Sequence, residues 1–135
     1  MSVNLDGKVV LVAEDQALVG ICLTECLEDQ GIVSAGPFPS SAETLTWLSG
    51  HTPDVAIIDV ELKDGACAAL ARELTRKLVP FVVFSGNPQS SNADPAFASA
   101  IWIEKPDTME HLVAALAQLL ERPAPKTRFD QARPN

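Results

Sequence analysis

A doubly wound α/β fold, a parallel sheet covered by helices on both faces, is what this sequence predicts. Short apolar, β-rich runs recur five times, and segments of helical periodicity separate them. The strongest runs are continuous rather than alternating, as in strands buried on both faces, and parallel strands need right-handed crossovers. The 135 residues suit one domain, and 47% hydrophobic content is enough for a core.

Each element follows from its own stretch of chain. Residues 8–13 (KVVLVA) read as the first strand and end at Glu14-Asp15. Residues 16–30 place Val19, Leu23, Cys26, Leu27 and Gln30 at helical spacing, and Gly31 stops that helix. Residues 32–38 (IVSAGPF) are a weaker strand, put at the sheet edge by Pro37 and Pro39. Residues 41–50 form a helix capped by Ser40 or Ser41, with Glu43 near the capping-box position.

Residues 54–59 (DVAIID) are the third strand, again ending in an acid. The third helix is expected over 66–78, after Gly65, and the fourth strand over 80–86 (PFVVFSG). The stretch 87–100 is polar and holds Pro88 and Pro95, so its helix should be short or irregular. Residues 100–104 (AIWIE) are the fifth strand. Residues 107–122 are the last helix, with Asp107 or Thr108 as N-cap. The stretch 123–135 has three prolines and no periodicity, so the domain should span 1–122, followed by a disordered tail.

Composition excludes several functions. A net charge of −8 repels nucleic-acid phosphates, so no DNA partner is expected. No apolar run approaches ~20 residues, so no membrane span is expected. The opening MSVNLDGK lacks an apolar signal core, which fits a cytoplasmic protein. Cys22, Cys26 and Cys67 are odd in number and form no CxxC, so they read as reduced, mostly packed thiols. His51 and His111 read as surface residues, and Arg72, Arg76 and Lys77 as a solvated helix face.

In an open parallel sheet the crevice lies beyond the carboxyl ends of the strands. Strand one brings Glu14-Asp15 there, strand three Asp59, strand four Ser85-Gly86 and strand five Glu104-Lys105-Pro106. Two carboxylates ~5 Å apart repel by roughly 3 kcal/mol at an effective dielectric near 20. An oxygen-seeking divalent cation removes that cost, and Mg²⁺ suits a site of few carboxylates completed by water and phosphate. A carboxylate can also act as a phosphoryl nucleophile. Singly, Glu14-Asp15 reads as an acidic helix start, Asp59 as a loop acid or N-cap, Ser85 as a cap and Lys105 as a surface lysine.

Together, Glu14-Asp15, Asp59, Ser85 and Lys105-Pro106 resemble the receiver domain of two-component response regulators, over about residues 8–121. The Phe84-Ser85-Gly86 ending resembles a divergent single-domain group with a Phe-x-Thr-Gly-type motif. The resemblance implies a flavodoxin-like strand order 2-1-3-4-5 and Asp59 as phosphoacceptor. It implies Mg²⁺ (or Mn²⁺) held by Asp15, by Glu14 mainly through water, by Asp59 and by the backbone carbonyl of Glu61. Lys105 would pair with the phosphoryl group, and the Lys105-Pro106 bond would be cis. Lys63 and Cys67 stand where many receivers carry proline and glycine, so the loop after strand three should be shorter or differently shaped. Trp102 stands where receivers carry a Tyr or Phe that swings inward; it reads as core or helix packing, or as a switch residue with Ser85.

The implied function is a stand-alone receiver without an output domain. It would take a phosphoryl group from a sensor histidine kinase or a histidine phosphotransfer protein. It would then signal by contact with a downstream protein, as a monomer or weak dimer, or act as relay or phosphate sink. Leu23, Leu27 and either Val19 or Cys26 suffice for the buried stripe of helix one, which leaves Leu18, Ile21 and Cys22 at the rim or outer face. In receivers, phosphotransfer helices dock on helix one. Two alternatives are a degenerate receiver used without phosphorylation, and a phosphatase of the haloacid dehalogenase class. The latter would want Asp-x-Asp near the N-terminus, whereas here Glu61 follows Asp59 on strand three.

Overall fold

A computed structural model of the chain describes residues 6–62, 65–66, 68–85, 95–97, 100–104 and 109–121. In chain order these residues form β1 (Val9–Ala13), α1 (Ala17–Asp29), β2 (Val33–Phe38), α2 (Ser41–Leu48), β3 (Val55–Ile58), β4 (Glu61–Leu62), β5 (Gly65–Ala66), α3 (Ala68–Arg76), β6 (Phe81–Ser85), β7 (Ile101–Glu104) and α4 (Met109–Glu121). A single 3₁₀ turn covers Pro95–Phe97, between β6 and β7. The main sheet runs β2-β1-β3-β6-β7 with every neighbouring pair parallel, which is the expected 2-1-3-4-5 order.

The alternation of side chains along β1 divides the interior into two layers. Val10 and Val12 face a core shared with Leu23 and Leu27 of α1 and Leu112 and Leu116 of α4. Leu11 and Ala13 face the opposite core, with Leu48 of α2, Leu70 and Leu74 of α3, and Phe97. Burial on both faces is why β1, β3 and β6 read as unbroken apolar runs.

Helix ends follow local chemistry. At the end of α1 the N–H of Ile32 donates to the Leu27 carbonyl and that of Gly31 to Glu28, with Gly31 at φ +80, a glycine stop of the Schellman type. Ser40 is the N-cap of α2 and accepts the Glu43 N–H at 3.1 Å; its own hydroxyl donates to the Glu43 carboxylate.

The structure corrects the third helix at both ends. It begins at Ala68, because Glu61–Leu62 and Gly65–Ala66 pair as a small antiparallel hairpin where a continuous helix was expected from 66. It ends at Arg76, because Leu78 takes the left-handed conformation (φ 64) while the Val79 N–H donates to Leu74. The reading of Lys77 as solvated is also corrected: its ammonium crosses to α2 and donates to the carbonyls of Leu48 and His51.

β2 is an edge strand, as expected, and carries an irregularity. Leu11 faces Ala35 but Ala13 faces Phe38, so β2 holds one extra residue around Gly36-Pro37, whose peptide bond is cis. The expected Lys105-Pro106 cis bond, most of the 87–100 segment, Cys67 and the 123–135 tail lie outside the described residues. Among the described residues no helix is long and apolar enough to cross a membrane.

Candidate functional site

β1 and β3 are adjacent and in register, Ala13 beside Ile58. The acid after each strand therefore emerges at the same sheet end. The Asp59 N–H continues the ladder by donating to the Ala13 carbonyl at 3.0 Å. The Glu14 N–H donates to the Phe38 carbonyl at 2.9 Å, which ties the other side of β1 to the edge strand.

One carboxylate oxygen from each of Glu14, Asp15 and Asp59 lies within 4.8 Å of the others. Glu14 is 3% exposed and Asp59 4%, while Asp15 is half-buried. The Gln16 backbone N–H donates to Glu14 Oε2 at 3.0 Å, so one side of that carboxylate is held at the start of α1. Gln16 is the N-cap of α1, and its side chain makes no capping bond.

β6 lies beside β3, with Ile58 opposite Val83, so Ser85 falls one step further toward the same end than Asp59's neighbour on that strand. Ser85 is fully buried and sits opposite Glu104, the last residue of β7. The structure thus brings together Glu14, Asp15 and Asp59 and puts Ser85 on the adjoining strand end; Lys105 lies outside the described residues. Glu61 begins the hairpin just past Asp59. Trp102 is half-buried and meets Phe97 edge-on, ring centres 5.9 Å apart at 80°.

The donor set fits a hard divalent cation: oxygen ligands only, two of them drawn out of water, with no thiol or imidazole among them. Left alone, three anionic groups this close would repel one another strongly.

On α1, Leu18 is 78% exposed and Ile21 49%, and Cys22 is exposed as well. The expectation of mostly packed thiols therefore fails at Cys22. Cys26 is half-buried, and burial, with the Asp29 carboxylate adding to it, pushes its thiol up. Sequence reasoning missed two features of the fold. One is the bulge at Gly36-Pro37, where Pro37 served only as an edge marker. The other is the stacking of His51 on Trp47, ring centres 4.6 Å apart, where i, i+4 spacing was the available signal.

Comparison with known proteins identifies the family and the fold. The family model for the response regulator receiver domain matches residues 10–117. The transcriptional regulatory protein PdtaR of Mycobacterium tuberculosis is 31% identical over 118 residues, covering 84% of this chain and 57% of that protein. The chain thus spans little more than half the length of that relative. A CheY-like receiver domain from Methylobacillus flagellatus is 26% identical with a TM-score of 0.73, covering 86% of this chain and all of the other. A receiver protein from Sinorhizobium medicae is 28% identical with a TM-score of 0.74, covering 86% and 96%. None of these favours the phosphatase alternative. From its matched span, its strand order and the acids at its strand ends, the chain belongs to the response regulator receiver domain family.

Proposed function

We propose that this chain is a phosphoacceptor in two-component signalling and that Asp59 carries the phosphoryl group. The observation that carries the reading is the approach of the Glu14, Asp15 and Asp59 carboxylates to within 4.8 Å at one sheet end. Glu14, Asp15, Asp59 and the backbone carbonyl of Glu61 would hold Mg²⁺ or Mn²⁺. When bound, such an ion offsets the charge on the phosphoryl oxygens.

Asp59 does the covalent work. One carboxylate oxygen forms an O–P bond as the P–N bond of a phosphohistidine breaks, and the imidazole nitrogen keeps the electron pair and takes a proton. Ser85 donates its hydroxyl to a phosphoryl oxygen, and Lys105 neutralises another. Ser85 and Trp102 form the switch: a change at the end of β6 passes to β7, where Trp102 leans on Phe97. The donor is a histidine kinase or phosphotransfer protein that docks on Leu18, Ile21 and Cys22, beside the acids. Output runs through contact with a protein target rather than through catalysis by this chain.

Intact-mass measurement after incubation with acetyl phosphate and Mg²⁺ tests the assignment. Wild type should gain one acid-labile group of about 80 Da, and Asp59→Asn should gain none, because an amide is no nucleophile here. Equal labelling of both proteins refutes the role of Asp59.

A further inference from the structure

A joint between α1 and β2 closes around Glu14. Gly20 lies on the buried face of α1, and its N–H donates to the Gln16 carbonyl at 2.9 Å. A Cβ at Gly20 would stand 2.9 Å from both Cβ and Cγ of Pro37, and 3.8 Å from Glu14 Cγ. The Pro37 ring is rigid and cannot swing aside as a flexible side chain would. Gly36 is equally constrained: its φ is +110, and a Cβ there would stand 2.5 Å from the Val12 carbonyl oxygen. The extra residue of β2 falls at this place, between the Ala35 and Phe38 pairings. It lets Pro37 reach α1 while the Phe38 carbonyl still accepts the Glu14 N–H.

Glu14 is held by hydrogen bonds on its backbone and on its carboxylate, next to a tight packing contact of α1 on β2. Its N–H is held by β2, its Oε2 by the Gln16 N–H, and its stem runs past a helix residue with no side chain. We infer that Gly20 and the Gly36-Pro37 bulge are positioning elements for Glu14, setting where its carboxylate stands relative to Asp15 and Asp59 and so which divalent ion the acids accept. The inference rests on the phosphoacceptor reading of that site. Mg²⁺ demands near-ideal octahedral geometry, whereas Ca²⁺ tolerates irregular shells. A displaced Glu14 therefore costs Mg²⁺ more than Ca²⁺.

The test is ion affinity of the unphosphorylated full chain, from thermal-shift titrations with Mg²⁺ and with Ca²⁺. Gly20→Ala should weaken Mg²⁺ by about tenfold or more, the scale seen when supporting groups of metal ligands are altered. Ca²⁺ should weaken less, so the Mg²⁺/Ca²⁺ preference falls. In a Glu14→Ala background, Gly20→Ala should change neither affinity further, because it acts through Glu14. A role in packing alone would leave the ion preference untouched and would persist in that background.

Gln16→Pro is the second variant. It deletes the N–H on Glu14 Oε2 without adding volume to the core, at a residue whose φ of −85 is near the value proline imposes. It should shift the preference in the same direction, which tests the dependence on Glu14 placement even if Gly20→Ala gives no cooperative melt; Pro37→Ala, which removes the ring packed on Gly20, then tests the bulge itself. An unchanged Mg²⁺/Ca²⁺ preference in a folded variant overturns the inference alone. A wild type that binds no Mg²⁺ and gains no phosphoryl group overturns the phosphoacceptor reading along with it.

Discussion

Asp59→Asn should make the metal-free protein more stable, and the structure sets the size of the effect. Asp59 and Glu14 are both almost fully buried, with ligand oxygens no more than 4.8 Å apart. At an effective dielectric near 20 that pair repels by ~3 kcal/mol; the half-exposed Asp15 is better screened and adds ~1 kcal/mol at a dielectric near 80. The substitution removes both terms. It also weakens whatever hydrogen bonds the carboxylate accepts, each worth about 1–2 kcal/mol. The net gain should be about 1–3 kcal/mol, or roughly 3–12 °C in Tm for a domain of this size. Urea denaturation at pH 7, low salt and excess EDTA, followed by far-UV circular dichroism, measures it. Adding Mg²⁺ to 100 times its dissociation constant should stabilise wild type by about 2.7 kcal/mol. The variant, with one ligand charge gone, should gain less, so the gap closes. If Asp59→Asn is no more stable than wild type in EDTA, or if Mg²⁺ leaves the gap unchanged, the repulsion argument is wrong.

Further expectations follow from other parts of the fold. Lys77→Ala removes the ammonium that closes the carboxyl end of α2, so it should cost about 1–2 kcal/mol in the same urea assay despite lying on a helix edge. Leu78→Gly should gain about 0.5–1 kcal/mol, since Leu78 occupies a left-handed position that favours glycine. Iodoacetamide at pH 8 should alkylate Cys22 before Cys26, as peptide mass mapping would reveal: Cys22 is exposed, whereas the raised pKa of Cys26 leaves it less thiolate. Leu18→Asp should slow phosphotransfer from a histidine kinase yet leave labelling by acetyl phosphate normal, because only the first reaction needs docking on α1; normal rates in both would remove α1 from the docking surface.

What could be read from the sequence, and what could not, divides along a physical line. β1, β3 and β6 were legible because burial on both faces forces an apolar residue at every position, whatever the partner. Gly31 is legible as a stop because glycine takes, without steric cost, the left-handed conformation that commonly ends a helix. Leu78 does the same work at the end of α3 but carries no such signal, so the sequence alone extends that helix too far. The hairpin of Glu61–Leu62 with Gly65–Ala66 is too short to show any periodicity; its stretch reads as loop up to Gly65 and as helix from Ala66. The partners of Lys77 are not legible because helical spacing says which face a residue occupies, not what a long side chain can reach. Its acceptors lie 29 and 26 residues earlier.

The acids of the site escaped this limitation for an energetic reason. A carboxylate at the end of a buried strand is expensive wherever it occurs. Three on two separate strand ends therefore demand an explanation before their neighbours are known. Strand order then supplies the rest: β1 beside β3 turns two distant costs into one shared site within 4.8 Å. The supports of Glu14 are different in kind. Gly20 and Pro37 are ordinary in their own elements, a small residue in a helix and a proline in an edge strand. Neither has meaning until α1 lies on β2 and a single methyl group would not fit between them. Buried acids can thus announce themselves by what they cost alone, whereas residues that would aim them are defined only by a contact.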